Sequence, residues 1–320
     1  MLCAMATTDT LATDYRMLTE MCGLLDCSER GKLALSGGDA KSFLQGQVSN
    51  EVEGLTDGEG CYAAFLTPKG KMLGDLRLLD AGDELLLDTE RPALQELFNM
   101  IRRYSIGYDV VLHKRTAERG LLALIGPDAA TVAGVADLPV KEHSHRVAEL
   151  AGIPIRVVRS DVGIDLLCDS GATDELRRAV VERGAAPVAE AAAEIVRVER
   201  GRPRYGVDLD DTVIPQEAGL NERAVSFTKG CYVGQETVAR LYYRGKPNRH
   251  LWGIRLSAPA QTGDQVSCDG RVVGALASVA ESPSRGPIAL ALVRREAPPG
   301  STVAVGPAGT TGEVVELPFS

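Results

Sequence analysis

Residues 60–90, GCYAAFLTPKGKMLGDLRLLDAGDELLLDTE, constrain the fold more than any other stretch. Apolar and polar residues alternate around TPKG and DAGD, two turn signals that join successive antiparallel strands. The next segment, ALQELFNMIRRY, changes period and places Leu94, Leu97, Phe98 and Ile101 at helical spacing. Strands and helices are thus grouped rather than strictly alternating, which predicts an α+β fold and not a doubly wound sheet. The glycine-rich SGGDAKSFLQGQ has neither GxxxxGK[ST] nor GxGxxG, so it gives no support to a nucleotide-binding loop.

The flanking segments fill in the organisation. A strand is expected over Gly31 to Leu35, then a glycine turn and a helix opening near Asp39. The text from DVVLHKRT through DELRRAVVERG reads as strand, helix, strand, strand, helix, a small α+β unit. The alanine-rich PVAEAAAEIVRVERG gives a further helix, after which a long polar stretch follows, where sites usually lie. From Leu251 short apolar runs are cut by Gly and Pro every few residues, predicting a small all-β domain, sandwich or barrel. A chain of 320 residues has room for two or three such domains.

The net charge of -9 argues against a protein that coats nucleic acid or sits on an anionic membrane. The N-terminus lacks a basic start, and no run reaches the ~18 apolar residues that span a bilayer, so a cytosolic protein is expected. Cys3, Cys22, Cys27, Cys61, Cys168, Cys231 and Cys268 are odd in number and scattered without paired spacing, and should be mostly free thiols.

Cys231, in KGCYVGQE, stands out among them. Lys229 two residues before it, and the backbone N–H groups around Gly230 and Gly234, would favour the thiolate; the alternative is a small buried filler. Metal binding is poorly supported, because Cys22 and Cys27 do not form CxxC and His143 and His145 have no second ligand pair nearby. No permanent iron–sulfur cluster is expected either. RLYYRGKPNRH, from Arg240 to His250, carries four cations and no acid, which suits an anionic ligand or a merely solvated loop; its tyrosines could stack on a flat ring or lie in a strand. Glu199, between Arg197 and Arg200, is either a helix-surface salt partner or an acceptor for a ligand N–H. Asp75 sits among apolar residues of a strand and either faces outward or belongs to a site.

Together, FLQGQVSNEV, LTPKGKMLGDLRLL, VERGRPRYGVDLDDTVIPQEAGL and KGCYVGQE resemble the signatures of the YgfZ family of folate-binding proteins. That family is related to the T-protein of the glycine cleavage system, an aminomethyltransferase, and the resemblance runs from about Leu24 to the end of the chain. It implies a T-protein-like, three-domain ring: two α+β domains interleaved in sequence and a C-terminal β-barrel, with tetrahydrofolate, or a one-carbon derivative, in the central hole. The corresponding division is 22–115 with 190–248 for the folate-binding part, 116–189 for the second α+β unit, and 249–320 for the barrel. The resemblance implies that Glu199, in the Arg197–Glu199–Gly201 stretch, holds the pterin. It also puts Tyr205, Gly206, Pro215, Glu217 and Gly219 on shared motif positions, and Lys229 beside the cofactor. Two departures bear on chemistry. The transferases have two adjacent aspartates where this chain has Gly74 and Asp75, and an acid where it has Cys231.

These residues lead to an expected accessory factor for iron–sulfur client enzymes, including a tRNA-modifying methylthiotransferase, with Cys231 as the working group. The alternatives are a folate-dependent aminomethyltransferase or demethylase that uses Asp75, and an RNA-contacting module built on Arg240, Arg244, Lys246 and Arg249. The chain's charge weighs against direct RNA contact.

Overall fold

The computed structural model describes residues 2–307 and 309–320, with side chains from Thr10 onward. The side chain of Cys3 therefore lies outside the described residues. The chain forms two compact units: Met1–Leu66, Leu73–Ala193 and Arg223–Val233 make one, and Thr67–Met72, Glu194–Glu222 and Gly234–Ser320 make the other.

The first unit contains two sheets. In the five-stranded one the spatial order is Gly60–Leu66, Met72–Asp80, Leu85–Thr89, Gly31–Ser36, Val111–Lys114. The expected meander is present, with Arg77 opposite Asp88 and Leu79 opposite Leu86. Strand Met72–Asp80 is buried along almost its whole length, so both of its faces are covered and the polar residues Asp75, Arg77 and Asp80 lie inside. Helix Leu94–Tyr104 buries Leu97, Met100 and Ile101. It seats closely because Gly31 offers no side chain: a Cβ there would meet Leu94 at 2.9 Å. Burying an Ile or Leu of this kind contributes about 1.5–3 kcal/mol.

The six-stranded sheet has the order Ala186–Pro187, Gly23–Asp26, Arg119–Ile125, Gly163–Asp169, Ile153–Arg159, His145–Leu150. Helices Ala129–Ala133 and Thr173–Glu182 supply Val132, Leu176 and Val180 to its core. Strand Gly23–Asp26 departs from the expected grouping of 22–115. It pairs antiparallel with Arg119–Ile125, Leu24 opposite Leu124, and its Leu24 joins the core of the 119–187 elements. Four residues carry too little pattern to reveal a partner a hundred residues away. Leu79 of one sheet packs with Leu121, Val158 and Leu167 of the other.

Two helices go beyond the sequence reading. Leu2–Glu20 precedes the first strand and buries Tyr15 and Leu18. Gln235–Arg244, in the second unit, starts after Gly234, whose φ of 85° suits glycine. Tyr242 and Tyr243 therefore lie on a helix, not on a strand or loop.

The second unit ends in a closed barrel of order Arg249–Leu256, Gly286–Arg294, Arg271–Ser282, Gln265–Cys268, Thr302–Val305, Thr310–Val315. Its core is made of small and branched side chains, among them Ile254, Val266, Ala289, Ala291, Val293 and Val314. Among the described residues no helix is long and apolar enough to cross a membrane.

Candidate functional site

In the first unit, two of the signature segments form one piece. The Lys229 ammonium donates to the carbonyls of Gln45, Val48 and Asn50 at 2.7, 2.8 and 2.7 Å. These carbonyls lie at and just beyond the C-terminal end of helix Ala40–Gln47, where helices leave acceptors unpaired and a cation is favoured. Further along, the Val233 N–H donates to the Gly46 carbonyl at 3.2 Å. On the other side, the Ser226 N–H donates to the Ser49 carbonyl, and the Ser49 hydroxyl donates to that of Ala224. The loop is thus tied down before and after Cys231, and Cys231 itself is exposed.

This geometry corrects the reading of Lys229. All three of its ammonium protons go to backbone carbonyls, so it donates none to Cys231 or to a cofactor; it holds the loop. Burial pulls its pKa down to about 8, against the pull of Glu51. Nor is Cys231 a buried filler. Cys22 and Cys168 are buried and Cys27, Cys61 and Cys268 partly so, leaving Cys231 as the exposed thiol among the described cysteines. Burial pushes Cys27 and Cys61 up to about 12 and so keeps them protonated.

Asp75 faces inward, only 4% exposed, and its Oδ2 has no hydrogen-bond partner among the described residues. Burial pushes its carboxyl up to about 6, although the Tyr62 hydroxyl and the Arg30 charge both favour the ionised form. The neighbouring position cannot supply a second acid, because a Cβ on Gly74 would lie 2.6 Å from the Ala93 Cβ and the Phe65 ring. The Arg223 guanidinium lies over the Tyr62 ring, 4.5 Å from its centroid, and pairs with Glu142. Behind this group, Arg30 and Arg77 bridge Glu90, Asp88 and Asp165 in a largely buried ionic network. Burial would push Asp88 up, but the two arginines hold it below the usual carboxylate range.

His145 Nδ1 accepts from Arg156 and its Nε2 lies 3.1 Å from the Glu59 carbonyl, which fixes a neutral ring. His143 is buried, and burial pulls it down to about 4. Among the described residues no cluster of three or more His, Cys, Asp or Glu side chains is placed to hold a metal ion.

The second unit carries the other expected residues. Glu199, at the end of helix Glu190–Glu199, is buried, and its Oε1 accepts from the hydroxyls of Ser282 and Ser284. Both serines come from the hairpin between Arg271–Ser282 and Gly286–Arg294. A buried carboxylate oriented by two hydroxyls is a good acceptor for ring N–H and amino donors, and in that respect it fits a pterin. Arg197 does not. Its guanidinium donates to both Glu194 carboxylate oxygens, Asp208, Ser278 and the Arg202 carbonyl, using every N–H. It buttresses the turn after the helix, and a cofactor has no donor left to meet there. Tyr205 is half-buried in that turn, where it bridges to Leu209. Arg249 pairs with the buried Glu217, so it is not free to meet RNA; Arg240, Arg244 and Lys246 are exposed.

The expected residues thus fall into two sets: Asp75, Lys229 and Cys231 in the first unit, Arg197, Glu199 and Tyr205 in the second. Tyr62, Glu142 and Arg223 beside Asp75, and Ser282 and Ser284 beside Glu199, escaped sequence reasoning. The two serines had a signal, ESPSRG inside a hairpin-like stretch, but nothing tied it to a glutamate 83 residues earlier.

The mixed α+β elements and the closed six-stranded barrel that follows them in sequence make an aminomethyltransferase-like fold. The GCVT N-terminal domain family matches residues 4–229, and the glycine cleavage T-protein C-terminal barrel domain family matches residues 249–320. The chain belongs to the glycine cleavage T-protein family. It is 31% identical over 309 residues to the "Putative transferase At1g60990, chloroplastic" of Arabidopsis thaliana, covering 92% of this chain and 71% of that one. The glycine cleavage system aminomethyltransferase T of Bartonella henselae has the same fold, with a TM-score of 0.86 at 24% identity over 97% of this chain and 89% of that one.

Proposed function

We propose that this protein binds tetrahydrofolate, or a one-carbon derivative, and acts in the cytosol as an accessory factor for assembly or repair of iron–sulfur enzymes, in the manner of the YgfZ proteins it resembles. A tRNA-modifying methylthiotransferase is among the expected clients. The observation that carries this reading is Cys231, an exposed thiol on a loop fixed at both ends to the end of helix Ala40–Gln47. A fixed, accessible thiol is suited to meeting a partner's sulfur, thiol or iron, whereas a mobile one would lose entropy on each encounter. Glu199 would hold the pterin and tetrahydrofolate would supply one-carbon chemistry.

Calorimetric titration with tetrahydrofolate tests the cofactor half. Wild type and Cys231→Ala should bind alike, while Glu199→Ala should weaken binding at least tenfold, because the Ser282 and Ser284 hydroxyls cannot replace an anionic acceptor. Undiminished binding by Glu199→Ala would remove the pterin from this glutamate.

A second reading, a folate-dependent transferase, is favoured by Asp75 Oδ2, a buried carboxylate oxygen without a partner among the described residues. The name of the Arabidopsis relative points the same way. Asp75 would hold or move the proton of a substrate amine. Gly74 leaves it without the second acid of the aminomethyltransferases, so the donor need not be theirs.

A further inference from the structure

The five-stranded sheet of the first unit ends on strand Val111–Lys114, which has no neighbour on its outer side among the described residues. It pairs antiparallel with Gly31–Ser36, Ala34 opposite His113, and the Arg115 N–H donates to the Lys32 carbonyl. In an antiparallel ladder the backbone groups point alternately toward and away from the partner, so those of Leu112 and Lys114 point outward. They meet no backbone partner among the described residues. Such an edge is a template for a further strand.

Exposed apolar groups and cations flank it. Side chains alternate along the strand, and Val111, 52% exposed, shares a face with His113, whose ring is hydrogen-bonded to Ser36. The approach to the strand adds Ile106, 84% exposed at a turn that the Tyr108 N–H closes on the Ser105 carbonyl, with Gly107 at a φ of 92°. Tyr108 is exposed as well, and its ring is set edge-on against Phe43. Lys114 lies on the opposite face from Val111, its ammonium 4.7 Å from the centre of the Phe98 ring. Arg102 follows Phe98 by one turn of helix Leu94–Tyr104, so two cations border that face. Neither pairs with an acid among the described residues. Asp109, just before the strand, is turned away and accepts from the Gly38 N–H.

These charges select the occupant. A second copy of the chain would bring lysine toward lysine, the means by which natural edge strands avoid pairing with themselves. An acidic segment is attracted by the same groups.

We propose that Val111–Lys114 receives an extended segment of a partner protein as a sixth strand, with acidic and apolar side chains in alternation. Acids lie over Lys114 and Arg102, and apolar groups over Val111. The proposal depends neither on folate binding nor on Cys231.

NMR titration and amide exchange on the full chain test this with three capped peptides: alternating glutamate and valine, alternating lysine and valine, and the fully N-methylated glutamate–valine form. At saturation the glutamate–valine peptide should slow exchange of the Leu112 and Lys114 amides at least tenfold, and it should bind at least tenfold more tightly than the lysine–valine peptide. The N-methylated form should give no protection, since it has no N–H to donate. Arg102→Glu combined with Lys114→Glu should reverse the charge preference while leaving exchange in the buried strands unchanged, which also shows that the variant folds. Absence of binding, equal binding of both charge types, or equal binding of the N-methylated form would overturn the proposal. So would concentration-dependent dimerisation that protects the same amides without peptide, which would assign the edge to a second copy.

Discussion

Asp75→Asn should make the protein more stable at neutral pH, by about 3 kcal/mol, while abolishing any transfer that depends on this carboxylate. The folded-state carboxyl titrates near 6 and an unfolded one near its ordinary 3.8. The native state therefore binds the proton more tightly. Its contribution is fully present below 3.8 and is lost as pH rises through 6, so ionised Asp75 weighs against folding at pH 7. Asparagine keeps an oxygen for the Tyr62 hydroxyl and removes the buried charge. Urea unfolding should show the advantage of the variant at pH 7.5, and the advantage should shrink as pH falls from 6 toward 4. His143 acts in the opposite direction: its folded pKa of about 4 lies below the ordinary 6.5, so its protonation in the unfolded chain costs stability as pH falls across that interval. Wild type should thus show a shallow acid dependence and Asp75→Asn a steeper one. A variant less stable than wild type at pH 7.5 would mean that the carboxylate is a structural anion. Greater stability with lost activity is the signature of a group kept for function.

Lys229→Met should act in the reverse sense and cost about 3 kcal/mol, because the apolar side chain fills the same channel and leaves three carbonyls without their shared donor. The effect should be local as well as global. Amide hydrogen exchange should accelerate in residues 45–50 and 226–233, which the ammonium joins, and remain slow in the barrel strands of the other unit. Arginine is a poor replacement, since its planar fork cannot converge on three carbonyls. If Lys229→Met left exchange around Cys231 unchanged, the two segments would be held by the Ser49, Ser226 and Val233 contacts alone, and the lysine would have another purpose.

The α+β class, the meander over residues 60–90 and the C-terminal barrel were all legible, because each depends on local period and turn chemistry. Long-range pairing was not. Gly23–Asp26 pairs with strands around residues 122–125 and 186–187, and nothing within those four residues records this. For the candidate residues, the surroundings of each side chain were less legible than its position. Asp75 stood out as an acid among apolar residues and Glu199 as an acid between two arginines, and both are buried. Lys229 looked like the activator of its neighbour at i+2, whereas its long side chain reaches carbonyls more than 170 residues earlier. Arg197 looked like a ligand because motif positions do not distinguish a group that touches a cofactor from one that braces the turn beside it. Arg223 and Tyr62 had no motif, and only the fold shows the guanidinium lying over the ring.

The central claim is that Cys231 is a working thiol presented by a fixed loop. The most direct measurement is methylthiolated tRNA, the product of the iron–sulfur client, in a strain lacking this protein and complemented with wild type or Cys231→Ala at equal protein levels. Rescue by wild type together with failure of Cys231→Ala is the predicted result. Equal rescue by both would contradict the account and return Cys231 to the surface of the fold.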